Sequence, residues 1–202
     1  MHLKSLNGCE LAIGSYPKFQ YNATSGGGEG QITSKDDKGL LTIVFNPEQF
    51  VIPSLNWRTT KILGFPMLPG LEIKVIPQPL KCYIEKQKGI ISLEFKSRFI
   101  FSLFKILQAP ALVIETSLKS KKVKSRLFEA IGSQINENGL ATLVGVATVP
   151  ETTNKYLNRF LSLPNEALAI LHCEITEFDC SEESNKSSNI KRKNNLPEEI
   201  NR

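Results

Sequence analysis

Gly89-Ile-Ile-Ser-Leu-Glu-Phe-Lys-Ser-Arg-Phe-Ile-Phe-Ser102 is the stretch on which the fold turns. Ile91, Leu93, Phe95, Phe99 and Phe101 alternate with Ser92, Glu94, Lys96 and Arg98. A period of two sends the apolar side chains to one face of a strand and the charges to the other. The run is about twice the usual strand length, and strands that long belong to strongly coiled or closed sheets. The pattern predicts a mainly β fold, an antiparallel barrel or half-open clam of lipocalin-like general shape, closed around an apolar interior that Phe95, Phe99 and Phe101 line.

The flanking segments extend the same pattern. Leu71, Ile73 and Val75 alternate with Glu72 and Lys74, and Leu80–Glu85 follows across Pro77-Gln-Pro79, which reads as a turn, so 71–102 is expected to be an antiparallel meander. Leu112, Ile114, Thr116 and Leu118 form the next strand, Leu40–Phe45 an earlier one, and Leu11, Ile13, Phe19 and Tyr21 two short ones. Leu140–Val149 and Glu166–Phe178 complete the set, with Gly145 and Ala147 small enough for another segment or a ligand to approach. The region 127–135 suggests a helical turn. Between the last two strands, Thr152 or Thr153 starts a short amphipathic helix near 152–163, its apolar stripe being Tyr156, Leu157, Phe160 and Leu161 and its stop Pro164.

The 202 residues, 41% hydrophobic with 11 Phe, suffice for one β-rich domain expected over 1–178. From Asp179 the chain is Ser, Asn, Lys and Glu with little to bury, which predicts a disordered polar tail over 179–202. A net charge of +5 favours anionic partners without implying nucleic acid. No apolar run reaches membrane-spanning length, and the segment before Cys9 lacks the apolar core of a secretory signal. Cys9, Cys82, Cys173 and Cys180 show no close spacing, as expected of thiols in a reducing, cytoplasmic compartment.

Three stretches break the periodicity. Ser25-Gly-Gly-Gly-Glu-Gly30 lacks the spacing and the following helix of a phosphate loop, and reads as a mobile turn or bulged edge. Val51–Gly70 stays apolar without regular spacing; a structureless segment of about twenty residues is uncommon in a compact domain and often functional. It carries Trp57 beside Arg58, and is expected either to close one end of the sheet with its apolar side chains buried inside, or to act as a lid or membrane-touching tip with Trp57, Phe65 and Leu68 against a ligand. Lys119, Lys121, Lys122, Lys124 and Arg126 place five cations in eight residues, a solvated hairpin tip or loop whose functional reading is peripheral contact with an anionic membrane. No aromatic residue interleaves them, so base stacking and nucleic acid are not expected.

Catalytic and metal signatures are sparse. His172 and Cys173 are neighbours on a strand and point to opposite faces, which prevents a Cys-His nucleophile pair. His172, Cys173, Cys180 and Cys82 lack metal-ligand spacing, and Glu72, Glu85, Glu94 and Glu115 form no acid-base pair. No catalytic residue, metal or cofactor is assigned.

Gly64-Phe-Pro-Met-Leu-Pro-Gly-Leu71, Gln108-Ala-Pro-Ala-Leu-Val-Ile-Glu-Thr116, Leu143-Val-Gly-Val-Ala-Thr148 and Tyr156-Leu-Asn-Arg-Phe-Leu-Ser-Leu-Pro-Asn-Glu-Ala-Leu168 resemble a family of β-rich cyanobacterial and plastid proteins with no established activity. The resemblance spans most of 16–178 and implies a photosynthetic source and a cytoplasmic or plastid-stromal location; it transfers no site residues. From the residues themselves, the expected function is a non-catalytic binding protein for an apolar small molecule (a lipid, isoprenoid or pigment-like compound) in a β-barrel interior. The alternative is a solid-cored assembly factor acting through contacts with a protein complex or a membrane surface.

Overall fold

The computed structural model describes residues 1–37 and 39–176; the expected domain end at 178 and the tail over 179–202 lie outside the described residues. The strands, in order, are β1 (His2–Ser5), β2 (Cys9–Ile13), β3 (Phe19–Tyr21), β4 (Gly27–Lys35), β5 (Leu40–Phe45), β6 (Thr60–Ile62), β7 (Phe65–Pro66), β8 (Leu71–Pro77), β9 (Leu80–Glu85), β10 (Ile90–Leu103), β11 (Leu107–Gln108), β12 (Leu112–Lys119), β13 (Lys122–Lys124), β14 (Glu129–Ile131), β15 (Leu140–Val149) and β16 (Asn165–Thr176). One helix, α1 (Lys155–Leu161), precedes β16. The fold is mainly β and antiparallel, as the alternating pattern predicts.

Pairing follows a ring. Strand β1 bonds to both β4 and β16, so the order β1-β4-β5-β9-β10-β12-β15-β16 returns to its start. Several neighbours in the chain are halves of one long strand. Along β10, the register runs from Ile90↔Glu85 to Glu94↔Lys81 with β9, and from Ser97↔Pro77 to Leu103↔Leu71 with β8. The two halves differ by one residue, absorbed at Gln78–Pro79.

The expected turn at Pro77-Gln-Pro79 is therefore a bulge. Gln78 supplies the one backbone N–H that the ladder uses there, donated to Lys96 O at 2.9 Å, and the prolines occupy positions that a bulge leaves free. Strands β1 and β2 share an edge of β16 in the same way, joined where Leu6 N–H donates to His172 O at 2.8 Å.

The β12–β15 seam is the least regular. Its register is the single pair Lys119↔Val144, supplemented by Thr116 Oγ1 donating to Val146 O at 2.8 Å. Gly145 permits the approach, since a Cβ there would stand 2.7 Å from Leu118 Cδ2 and 2.9 Å from Ser117 O.

Odd-numbered residues of β10 and β15 face inward. At one end of the ring the interior is solid, filled by Leu3, Ile43, Phe45, Leu80, Ile91 and Leu143 with their neighbours. At the other end α1 packs Leu157 and Leu161 against Ile13, Leu112 and Val149. Asn154 caps the helix by accepting from Leu157 N–H at 3.0 Å.

The expected four-residue stripe splits. Only Leu157 and Leu161 are buried, while Tyr156 is 89% and Phe160 52% exposed. A helix of seven residues turns only one i, i+4 pair fully onto the sheet.

The segment 127–135 is not the helical turn that its sequence suggests. Its core is strand β14, paired with β13 through Val123↔Ala130, and the hairpin lies across the outer face of the ring, burying Ala130 on Val144, Leu168 and Ala12.

Ser97 is fully buried on the inward face between Phe95 and Phe99, and its hydroxyl has no partner. Removing an unpaired buried hydroxyl relieves a desolvation cost, so Ser97→Ala should raise stability by about 1 kcal/mol. Urea unfolding checks this; a destabilised variant would show that the hydroxyl is bonded.

Candidate functional site

The hollow end of the ring contains two contiguous chambers. The larger, about 330 Å³, lies beneath α1; the smaller, about 130 Å³, continues toward the solid half. Phe99, Ile114 and Ala167 line both.

Side-chain size explains the space. Strands β15 and β16 present Gly145, Ala147, Ala167 and Ala169 to the smaller chamber, where the inward pattern elsewhere carries Leu, Ile or Phe. Such short side chains leave the volume between that wall and Phe95 and Phe99 unfilled.

The lining is almost wholly apolar. In the larger chamber Tyr16 carries the only side-chain polar group, and its hydroxyl donates to Phe160 O. In the smaller, three hydroxyls line the wall: that of Ser5, that of Tyr21, which donates to Pro53 O, and that of Thr116, which donates to Val146 O. Burial raises the Tyr21 pKa well above its ordinary value, with a smaller contribution from Cys9. Among the described residues no charged side chain lines either chamber, so the site offers chiefly shape and apolar contact.

Of the residues expected at a ligand site, Phe95 lines the smaller chamber, Phe99 both, and Phe101 and Leu68 the larger. Leu68 is 62% exposed and Phe160 52% exposed while both line the chamber, so its mouth lies between them.

Trp57 and Phe65 are placed elsewhere. Trp57 lies in an outer groove with Arg58 stacked 4.9 Å from its ring centre, and Phe65 is 76% exposed on β7. The segment instead sends Leu55, Ile62 and Met67 inward. Its irregular spacing, imposed by the Asn56–Thr60 turn and the β6–β7 hairpin, concealed which side chains those were.

The cationic run forms the end of β12 and the β13–β14 hairpin on the flank of the ring. Lys122 and Lys124 both pair with Glu129, the second at 3.8 Å. Arg126 lies beside Glu166, whose carboxylate accepts from Ser125 Oγ at 2.7 Å and Leu127 N–H at 2.9 Å. The Ser125 hydrogen bond foremost, then the Leu127 amide, lower the Glu166 pKa. Lys119 and Lys121 project into solvent.

His172 and Cys173 face opposite ways. The imidazole Nδ1 lies 3.0 Å from Thr142 Oγ1, while the Cys173 thiol sits in the solid core with Cys82. Among the described residues no group of three or more His, Cys, Asp or Glu is arranged to hold a metal ion, and no helix is long and apolar enough to cross a membrane.

Burial pushes the Cys82 and Cys173 thiols from 9.0 up to about 12, and raises Cys9. The folded chain holds these protons more tightly than the unfolded chain, so their contribution to stability is intact below pH 9.0 and is lost as pH rises toward about 12. Iodoacetamide should leave Cys9, Cys82 and Cys173 unlabelled at pH 8 until denaturant is added, and Tm should fall above pH 9; ready native labelling would contradict the packing.

No family model matches this chain, and no curated protein or solved structure shows a significant match to it.

Proposed function

We propose that the chain is a non-catalytic carrier or sensor of an apolar small molecule, with the strand ring closed as a barrel of lipocalin-like general shape and the guest held in its hollow end. The observation that carries this reading is the larger chamber, about 330 Å³, whose only side-chain polar group is already hydrogen-bonded to the protein. Rings of eight strands are just wide enough to be filled by side chains or to hold one small ligand, and here the two conditions divide the interior between them.

The chamber sits at the low end of the roughly 300–1,000 Å³ range of ligand pockets. That size favours a single acyl or isoprenoid chain over a large fused-ring pigment. Native mass spectrometry of protein purified from its source tests the reading: a stoichiometric apolar guest supports it, and a consistently empty protein overturns it.

The packed half of the ring favours the second reading, a solid-cored assembly factor acting through surface contacts. Persistent emptiness together with a co-purifying protein complex would support that reading instead.

A further inference from the structure

The geometry points to the rim around the chamber mouth as a docking surface for the anionic face of a lipid bilayer. This rests on the carrier reading and adds the place where the guest is exchanged. Three segments meet at this end: the β6–β7 hairpin, the tip between β10 and β11, and the outer face of α1.

Their contiguity is visible in the packing. Where β10 ends, Leu103 pairs with Leu71, and the Phe104 ring beyond it covers Gly70, where an added Cβ would come within 2.3 Å of the ring. Leu107, Tyr156 and Phe160 share one groove, and Phe160 and Leu68 reach into the chamber. Leu63 (74%), Phe65 (76%), Phe104 (65%), Ile106 (83%) and Tyr156 (89%) project from these segments into solvent. Single exposed apolar residues need no explanation, but a set ringing one opening does.

Charge identifies the occupant. Arg58, Lys61, Lys105, Lys155 and Arg159 are exposed between those tips, and none forms an ion pair among the described residues. Elsewhere on the molecule Lys4, Lys18, Lys88, Lys96, Lys122 and Lys124 each meet a carboxylate, while Lys119 and Lys121 on the flank are exposed like the rim cations but have no apolar tips between them. The acids near the rim are Glu72, in the groove with Arg58 and Lys105, and Glu151, ahead of α1.

Unpaired cations alternating with apolar tips suit the boundary between lipid phosphates and acyl chains, and an indole beside a guanidinium suits the same depth. Helix α1 shows the arrangement in miniature: Leu157 and Leu161 face the protein, while Tyr156 and Phe160 project with Lys155 and Arg159. The chamber would then open directly onto the phase in which a single-chain apolar guest resides.

Flotation of the full chain with vesicles of phosphatidylcholine alone, or mixed with phosphatidylserine, tests the inference. The protein should float with the mixed vesicles only, less so at high salt. The triple reversal Lys105→Glu, Lys155→Glu, Arg159→Glu should lower partitioning about tenfold or more, and Ile106→Asp should lower it separately. Reversal of Lys121 and Lys122 on the flank should change it little.

Wild-type protein that ignores anionic vesicles, a triple reversal that floats as well as wild type, or loss of binding on the flank reversal alone would each overturn the inference; the first would leave the rim to an acidic protein face. Uptake of a fluorescent fatty acid delivered from solution is measured separately. Flotation without uptake supports docking while the carrier reading fails, and uptake without flotation sinks docking alone.

Discussion

Replacing Gly27 with alanine should remove about 3 kcal/mol or more of folding stability. Gly27 has φ +121°, and an ideal Cβ built there would lie 2.0 Å from Leu3 O and 2.9 Å from Lys4 Cα. Both atoms are backbone of β1, so neither can swing aside.

The glycine is also fixed from the other side. It exchanges two 2.8 Å hydrogen bonds with Val51, and its neighbour Gly28 lies so close to Phe50 that a Cβ would stand 3.0 Å from that residue's Cα. Relief would have to come by moving β1 off β4, which opens the ring at its closure. Against a typical total of about 5–15 kcal/mol, that loss is large enough to leave much of the protein unfolded on mild heating.

Gly64→Ala supplies the comparison. Gly64 also has positive φ, +85°, but nothing lies within 4 Å of its would-be Cβ, so only backbone strain of about 1–2 kcal/mol is at stake. Urea unfolding of the two variants should rank them clearly. A Gly27 variant as mild as the Gly64 variant would mean that β1 does not close the ring there.

Gly27 also shows what a sequence can and cannot convey about this fold. The Ser25–Gly30 cluster is conspicuous, yet glycine means either conformational freedom or close approach, and only the positions of Leu3 and Phe50 in space decide for close approach. Strand β10 was legible because its alternation is local, including the inward placement of Phe95, Phe99 and Phe101. Ser97 obeys the same alternation, but residue type alone points a hydroxyl toward the surface, so only the strand's period places it inside.

Pro77 and Pro79 signalled a turn, because the sequence does not say which N–H groups a partner strand needs. The hollow end was half visible in Gly145 and Ala147. Leu55, Ile62 and Met67 were not, since residues in an irregular segment face inward according to turns that no short-range period encodes.

The second large effect is expected inside the chamber. Ala167 lies on β16 opposite Ala147 and beside Ile13 in the ladder, and it lines both cavities. Its small neighbours Gly145, Ala147 and Ala169 leave space into which a larger side chain can extend. Ala167→Phe should fill the junction of the two chambers and raise the Kd for an apolar fluorescent probe about tenfold or more, equivalent to 1.4 kcal/mol or more of lost binding.

The same substitution has an opposite expected effect on folding. In a packed core an added ring costs about 1–3 kcal/mol through strained rotamers and shifted backbone. In an empty apolar chamber it buries new surface at about 25 cal/mol per Å² without displacing anything, so stability should hold or rise. Weakened probe binding with undiminished stability would therefore identify the hollow end as the guest-binding cavity. Destabilisation with unchanged binding would mean that the ring closes on itself when unoccupied and that the probe sits elsewhere. Ala169→Leu, lining the smaller chamber only, should weaken the probe less, because the mouth and the larger chamber stay open.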